Sequence, residues 1–398
     1  MKCSRTLILC FSTLLLSLPF RSHAASELRG VWMASVWNID WPLSVSLTPV
    51  QQRAQLREQF DLLKSLKMNT VFLQIRPEGG ALYKSSLEPW SYWLSGKSGK
   101  GPSDGYDPLE FAIKEAHDRG LELHAWINPF RVKTSGSGKP HPTHPFYTKA
   151  HLLLKSSEST RMLDPGIPET RAYVIKVALD IVERYSVDGL HLDDYFYPYP
   201  KKVNGEKVET FDDSQTFKKY GQGFQDVREW RRQNINTFIQ SLYASVKALK
   251  PNVKVGVSPF GIWRPGSPEG VEAFLDAYDD IGVDAKKWLN EGWLDYLMPQ
   301  LYWRIEGAQS FSALAKWWHE QNLKSKPLYF GIDSTRIENP NYDYEGPRDA
   351  HENIRQIELA RTLSRKYKTP PGHSHWSMEA LRKNRGGLNN LLKETYSP

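Results

Sequence analysis

The sequence predicts an α/β fold, a single (β/α)8 barrel of the TIM type with long βα loops. Three observations carry that expectation. Short apolar runs alternate with amphipathic segments through eight rounds, and such alternation builds a parallel sheet covered by helices. The long connections, at 78–107, 128–164, 195–227 and 333–348, all follow strands, so they gather on one face. No GxGxxG turn and no P-loop follows an early strand, which argues against a doubly wound nucleotide-binding sheet.

The predicted strands are 28–36, 70–76, 121–127, 189–193, 253–258, 294–302, 327–332 and 373–378. In the fourth, Leu190 and Leu192 alternate with His191 and Asp193, the period of two that marks a strand. The predicted helices are 49–67, 108–119, 169–185, 228–250, 271–290, 310–322, 350–366 and a short 389–396. Thr48-Pro49 opens the first of them. Threonine is an N-cap residue, and proline fits the first helical turn, where no amide is required. Residues 25–398 read as one barrel domain.

Residues 1–24 stand apart. Lys2 and Arg5 precede an apolar run over 7–18, and Ser22-His23-Ala24 offers a small-residue cleavage site. That is the pattern of an export signal cut after Ala24, and the expected product is periplasmic or secreted. The apolar run is short for a membrane span, and no later segment reaches that length. Both cysteines, Cys3 and Cys10, leave with the signal. The remaining chain has no disulfide and must rely on a large buried core. The formal charge of +7 falls to +4 once Lys2, Arg5 and Arg21 are removed with the signal. That balance suits an anionic wall polymer. No basic stripe of the nucleic-acid-binding kind is present.

Chemistry collects at the strand ends. Carboxylates there are where barrels of this type keep their active sites. Asp193-Asp194 ends the fourth strand and runs into Tyr195, Phe196, Tyr197, Pro198, Tyr199 and Pro200. Two adjacent carboxyls cannot both ionise cheaply, so one becomes a plausible general acid. Glu78, after the second strand, is the rival acid or base. The fifth strand carries no carboxylate, and the seventh ends at Asp333. Arg76, Trp126, Asn128, Arg131, Ser258, Trp263, Gln300, Tyr302 and Trp303 occupy other strand ends, with Tyr195 and Tyr197 beside the acid pair. Tryptophan faces stack on sugar C–H surfaces, while Arg and Gln bond hydroxyl and acetamido groups. Fourteen tryptophans, several at these ends, favour a carbohydrate ligand. His191-x-Asp193 and His373-x-His375 have metal-ligand spacing, but in metal-dependent barrels such a pair ends the first strand, which here reads Val31-Trp32-Met33-Ala34. No catalytic metal and no cofactor are expected.

Several segments resemble glycosyl-hydrolase-like family ten. They are Glu27–Ala34, Thr70–Pro77, His124–Arg131, Leu163–Glu169, the Asp188–Tyr197 run, Gly256–Pro259 and Pro299–Trp303. The resemblance covers essentially the whole of 25–398, in order. It implies a glycoside hydrolase acting on bacterial cell-wall glycan, peptidoglycan strands stripped of their stem peptides, with a role in cell division. Adjacent aspartates after the fourth strand also resemble substrate-assisted hexosaminidase barrels, in which the substrate's 2-acetamido oxygen attacks the anomeric carbon. The eighth strand, His373-Ser374-His375-Trp376-Ser377-Met378, departs from the acidic pattern expected there. The alternatives are a catalytically silent glycan-binding barrel that scaffolds wall enzymes and a metal-dependent polysaccharide hydrolase or deacetylase.

Overall fold

The computed structural model describes residues 27–156, 158–339 and 347–397. The predicted export signal lies outside the described residues, as does part of the loop predicted at 333–348. Eight strands form one parallel sheet: β1 (Leu28–Met33), β2 (Thr70–Arg76), β3 (Glu122–Ile127), β4 (Gly189–Leu192), β5 (Lys254–Val257), β6 (Tyr296–Leu297), β7 (Phe330–Asp333) and β8 (Gly372–Trp376). Their order is β6-β5-β4-β3-β2-β1-β8-β7. Parallel bridges Leu297↔Leu328 and Gln300↔Gly331 join the two ends and close the barrel. The principal helices are α1 (Pro49–Ser65), α2 (Pro108–His117), α3 (Pro168–Arg184), α4 (Val227–Leu249), α5 (Ala285–Glu291), α6 (Phe311–Gln321), α7 (Ala350–Tyr367) and α8 (Leu388–Thr395). Thr48 caps α1 in a reciprocal box with Gln51, and Pro49 sits in the first turn.

Alternation along the strands sorts the side chains into two cores. Val71, Leu73, Ile75, Leu190 and Leu192 face the helices, and Trp32, Phe72, Trp126, Tyr296 and Met298 fill the lumen. A polar chain crosses the floor of the lumen. The Trp32 indole donates to His191 Nε2 (3.1 Å), so His191 carries its proton on Nδ1. That Nδ1 lies 2.9 Å from the Tyr296 hydroxyl, which lies 2.9 Å from His124 Nδ1. Burial holds both imidazoles neutral, below their usual range. Gly256 makes this possible, because a Cβ there would sit 2.0 Å from the Tyr296 ring.

Four predicted elements differ from the structure. The first strand stops at Met33, and a short 3-10 turn, Val36–Asn38, follows. The sixth is regular only over two residues, with Pro299 interrupting the ladder before Gln300 rejoins it. Trp376 ends the eighth strand, and a helical turn begins at Met378. The helix predicted at 271–290 is confined to Ala285–Glu291. Upstream, Asp280 accepts from the amide of Asp276, and Asp276 from that of Asp279. These local bonds compete with helix formation, and Gly282 turns left-handed at φ 69°. The long loops also carry structure of their own, an antiparallel pair Arg131–Lys133 with Arg161–Met162 and a hairpin Lys201–Val203 with Glu206–Val208.

Candidate active site

Strand β4 ends at Leu192, so both aspartates lie where the chain has begun to turn. Asp193 Oδ1 accepts from the Asp194 amide (2.9 Å) and from Gln300 Nε2 (3.3 Å). Gln300 is held in turn by the Ser258 carbonyl, 2.9 Å away. Asp194 points behind its neighbour and accepts a short hydrogen bond from the Tyr199 hydroxyl. The two carboxyls are near enough for the charge on one to oppose ionisation of the other. Burial raises the pKa of Asp193 above the carboxylate range. Burial and then the Asp193 charge push Asp194 well above it. Of the two, Asp194 is the harder to ionise, because the Asp193 charge opposes its own.

Asp193 opens onto a cavity of about 200 Å³ at the C-terminal mouth of the barrel. Trp32, Trp126 and Trp376 wall one side, with Trp376 edge-on to both of the others at 6.4 and 6.1 Å. Tyr195, Ser258, Gln300 and Tyr302 complete the lining. Gly331 in β7 leaves the room, since a Cβ there would meet Trp32 at 2.9 Å and Tyr302 at 3.2 Å. The Trp126 indole nitrogen is buried without a hydrogen-bond partner. Arg131 lies 4.1 Å over the Tyr195 ring and steadies that wall.

Six residues singled out in the sequence thus meet at one cavity: Trp126, Asp193, Tyr195, Ser258, Gln300 and Tyr302. Asp194 and Arg131 stand directly behind it. Other candidates lie elsewhere. Arg76 is fully buried and forks onto Glu88, so its reading as a substrate ligand is corrected. Tyr197 is likewise fully buried, stacked on Phe211, and is corrected for the same reason. Asn128 lies inside the barrel wall, accepting from Gln74 Nε2 at 3.2 Å. Glu78 is buried and accepts the Thr134 amide at 2.6 Å, and burial raises its pKa. Asp333 is saturated by Thr335 and Arg336. Trp263 stacks on Trp317 at 5.9 Å, toward α6. Trp303 packs edge-on against Phe260.

Trp32, Trp376 and Tyr199 were missed. The signal for the first two was available, because both occupy inward positions at strand ends. Asp40 was missed as well. It accepts from the amides of Ala34 and Glu379 and from the Ser377 hydroxyl, tying the end of β1 to the segment after Trp376. Burial raises it to about 7. The histidines of the HxH run face the helix layer, His373 against Tyr396 (2.5 Å) and His375 against Ser334 (2.8 Å). Among the described residues, no three His, Cys, Asp or Glu side chains group to hold a metal ion. No helix among them is long and apolar enough to cross a membrane.

A closed parallel barrel with a carboxyl pair and a tryptophan-walled cavity at its C-terminal mouth defines a barrel of the glycoside hydrolase type. Comparison with known proteins agrees. The chain belongs to the glycosyl hydrolase-like 10 family, whose profile matches residues 27–346. It is 38% identical over 408 residues to the glycosyl hydrolase YngK of Bacillus subtilis, covering 98% of this chain and 76% of that one. It is 36% identical over 339 residues to the glycosyl hydrolase DigH of Escherichia coli, covering 80% and 75%. Among solved structures, the glycoside hydrolase domain of PgaB (BpsB) from Bordetella bronchiseptica shares the fold at TM-score 0.62 and 16% identity. That match spans 93% of this chain and 99% of the other.

Proposed function

We propose that this glycoside hydrolase cleaves β-1,4 linkages between N-acetyl sugars of bacterial cell-wall glycan, in peptidoglycan strands stripped of stem peptides, by substrate-assisted catalysis. The observation that carries the reading is the arrangement of the acid pair. One carboxylate, Asp193, faces a tryptophan-walled cavity, and a second, Asp194, backs it and is the harder of the two to ionise. Among the described residues, Asp193 is the only carboxylate that lines the cavity, and Asp194 is its immediate neighbour, whereas a double-displacement or inverting site needs two carboxylates across the scissile bond. Here the substrate supplies the nucleophile. Ionised Asp193 accepts the N–H of the 2-acetamido group and aims its oxygen at the anomeric carbon. As that C–O bond forms, the glycosidic bond breaks. The leaving oxygen takes the electron pair of the broken bond and a proton that Asp194 delivers by turning from Tyr199 toward the cavity. Water then opens the oxazolinium ring and returns a proton to Asp194. The tryptophan wall suits sugar faces, and relatives described as glycosyl hydrolases support the reaction class. The export signal predicted at 1–24 would deliver the enzyme to the wall, and Edman sequencing should find Ala25 as the new terminus.

Mass spectrometry of products from denuded sacculi tests the reaction. Hydrolytic reducing ends are expected from the wild type, and a thiazoline mimic of N-acetylglucosamine should inhibit. A sugar ester trapped on Asp193, Glu78 or Asp333 would overturn the mechanism. Binding without turnover would favour the silent scaffold, and loss in EDTA restored by zinc would favour the metal-dependent reading.

A further inference from the structure

A second cavity, of about 240 Å³, adjoins the first. The two share Tyr195, and the second is also walled by Trp37, Arg131, Met162 and Tyr199. Tyr195 and Tyr199 stack at 5.3 Å, so one aromatic partition separates the two spaces. Each space is smaller than the ~300–1,000 Å³ of usual ligand pockets, and their union falls within that range.

Trp37 is the feature that asks for a ligand. It is 58% exposed, so packing does not account for it. Its backbone is left-handed (φ 53°), and so is that of Asn38 (φ 54°), a conformation that side-chain-bearing residues avoid. The strain is held in place. Gln74 Oε1 accepts the amides of Ser35 and Val36 at 3.0 and 2.9 Å. Asn38 Nδ2 donates to the Pro42 and Trp93 carbonyls at 2.7 and 2.9 Å. The Trp37 indole donates to the Ser135 carbonyl at 2.9 Å, which fixes the ring. A strained, pinned and exposed indole over a cavity is a preorganised platform.

We infer that the cavity under Trp37 is a second sugar subsite, which takes a neighbouring N-acetylated pyranose of the same glycan chain. The inference rests on the central cavity being the reacting site. It makes the enzyme a chain-gripping one, with affinity that grows as a strand extends past Tyr195. Tyr199 lines this subsite and bonds Asp194, so an occupant there also touches the group that orients the acid.

The test is isothermal titration of the full chain carrying Asp194→Asn with β-1,4-linked N-acetylglucosamine oligomers of two to six units, with and without Trp37→Ala. The alanine variant should weaken the longest oligomer about tenfold, the worth of one aromatic contact, and the dimer by much less. Trp37→Phe keeps a ring and should recover most of the loss, which separates stacking from the Ser135 bond. Equal effects on short and long oligomers, or none on either, overturn the subsite. So does failure of every oligomer to bind. A length-dependent Trp37 effect in a protein whose wild type cleaves no strand supports the subsite while removing the hydrolase reading.

Discussion

Two buried ionic pairs sit near strand ends of the same barrel mouth, and they are opposites. Arg76, at the end of β2, donates through Nε and Nη2 to both oxygens of Glu88, at 2.7 and 2.6 Å. Its Nη1 reaches the carbonyls of Asn128 and Pro129, and the Tyr173 hydroxyl donates to Glu88 at 2.8 Å. Opposite charges are matched, and the remaining donors and acceptors are used. Asp193 and Asp194 are equally buried but carry like charge, and their raised pKa values record the mismatch. A satisfied pair holds structure, while a frustrated pair of this kind is what acid–base chemistry uses.

The largest expected effect falls on the satisfied pair. Glu88→Gln or Arg76→Met alone should destabilise by about 3–5 kcal/mol, because each leaves a buried partner unmatched. The double variant Arg76→Met/Glu88→Leu should recover most of that loss and keep turnover. Urea unfolding and strand cleavage measure both. A folded but inactive double variant would return Arg76 to the substrate site.

The frustrated pair should behave the other way. Asp193→Asn and Asp194→Asn should each lower turnover of denuded strands by about a hundredfold or more, with non-additive losses. Stability should not follow activity. Asp194 has a raised pKa when folded, so its contribution is present below the unfolded value of about 3.9 and is lost as pH rises through the folded one. Asp194→Asn should therefore unfold at a urea concentration equal to or above that of the wild type at pH 8, with the gap closing toward pH 4. A variant that loses stability and activity together would make the pair structural.

The contrast also explains what could be read from the sequence. The barrel was legible because eight alternations of strand and helix leave few other folds, and Leu190 and Leu192 marked the outward face of β4. The acid pair was legible as two adjacent carboxyls at a strand end. Arg76 misled because parity fails there. The β2–β3 register shifts between Gln74 and Arg76, and a bulge re-aims the side chain into the wall. Tyr197 misled because the chain after Asp194 turns, so its aromatics no longer share a face. Trp37 owes its position to a left-handed turn that no local pattern encodes.

A smaller effect should come from Tyr199. Its hydroxyl donates to Asp194 and favours the ionised form, so it opposes the rise in that pKa. The wild type should show a bell-shaped pH–rate profile. Its acid limb follows protonation of Asp193, its alkaline limb follows ionisation of Asp194, and both lie above the ordinary carboxylate range. Tyr199→Phe should move the alkaline limb upward and leave the acid limb in place. An unmoved alkaline limb would mean that Tyr199 does not bond the acid.

The smallest effect is expected at Trp263, which the sequence placed among the sugar-binding residues. Its indole donates to Asp284 at 3.3 Å, its face stacks on Trp317, and its edge meets Tyr278 at 5.1 Å. All three partners belong to the outer layer beyond β5, and none lines either cavity beside the acid pair. Trp263→Ala should cost about 1 kcal/mol of stability, the worth of an aromatic contact on a half-buried surface. kcat/KM on denuded strands should change less than about twofold, well under the 1.4 kcal/mol of a tenfold loss. A KM raised tenfold with kcat unchanged would extend the glycan path across the β5 loop, away from Trp37, and would turn the chain's direction over the barrel mouth around.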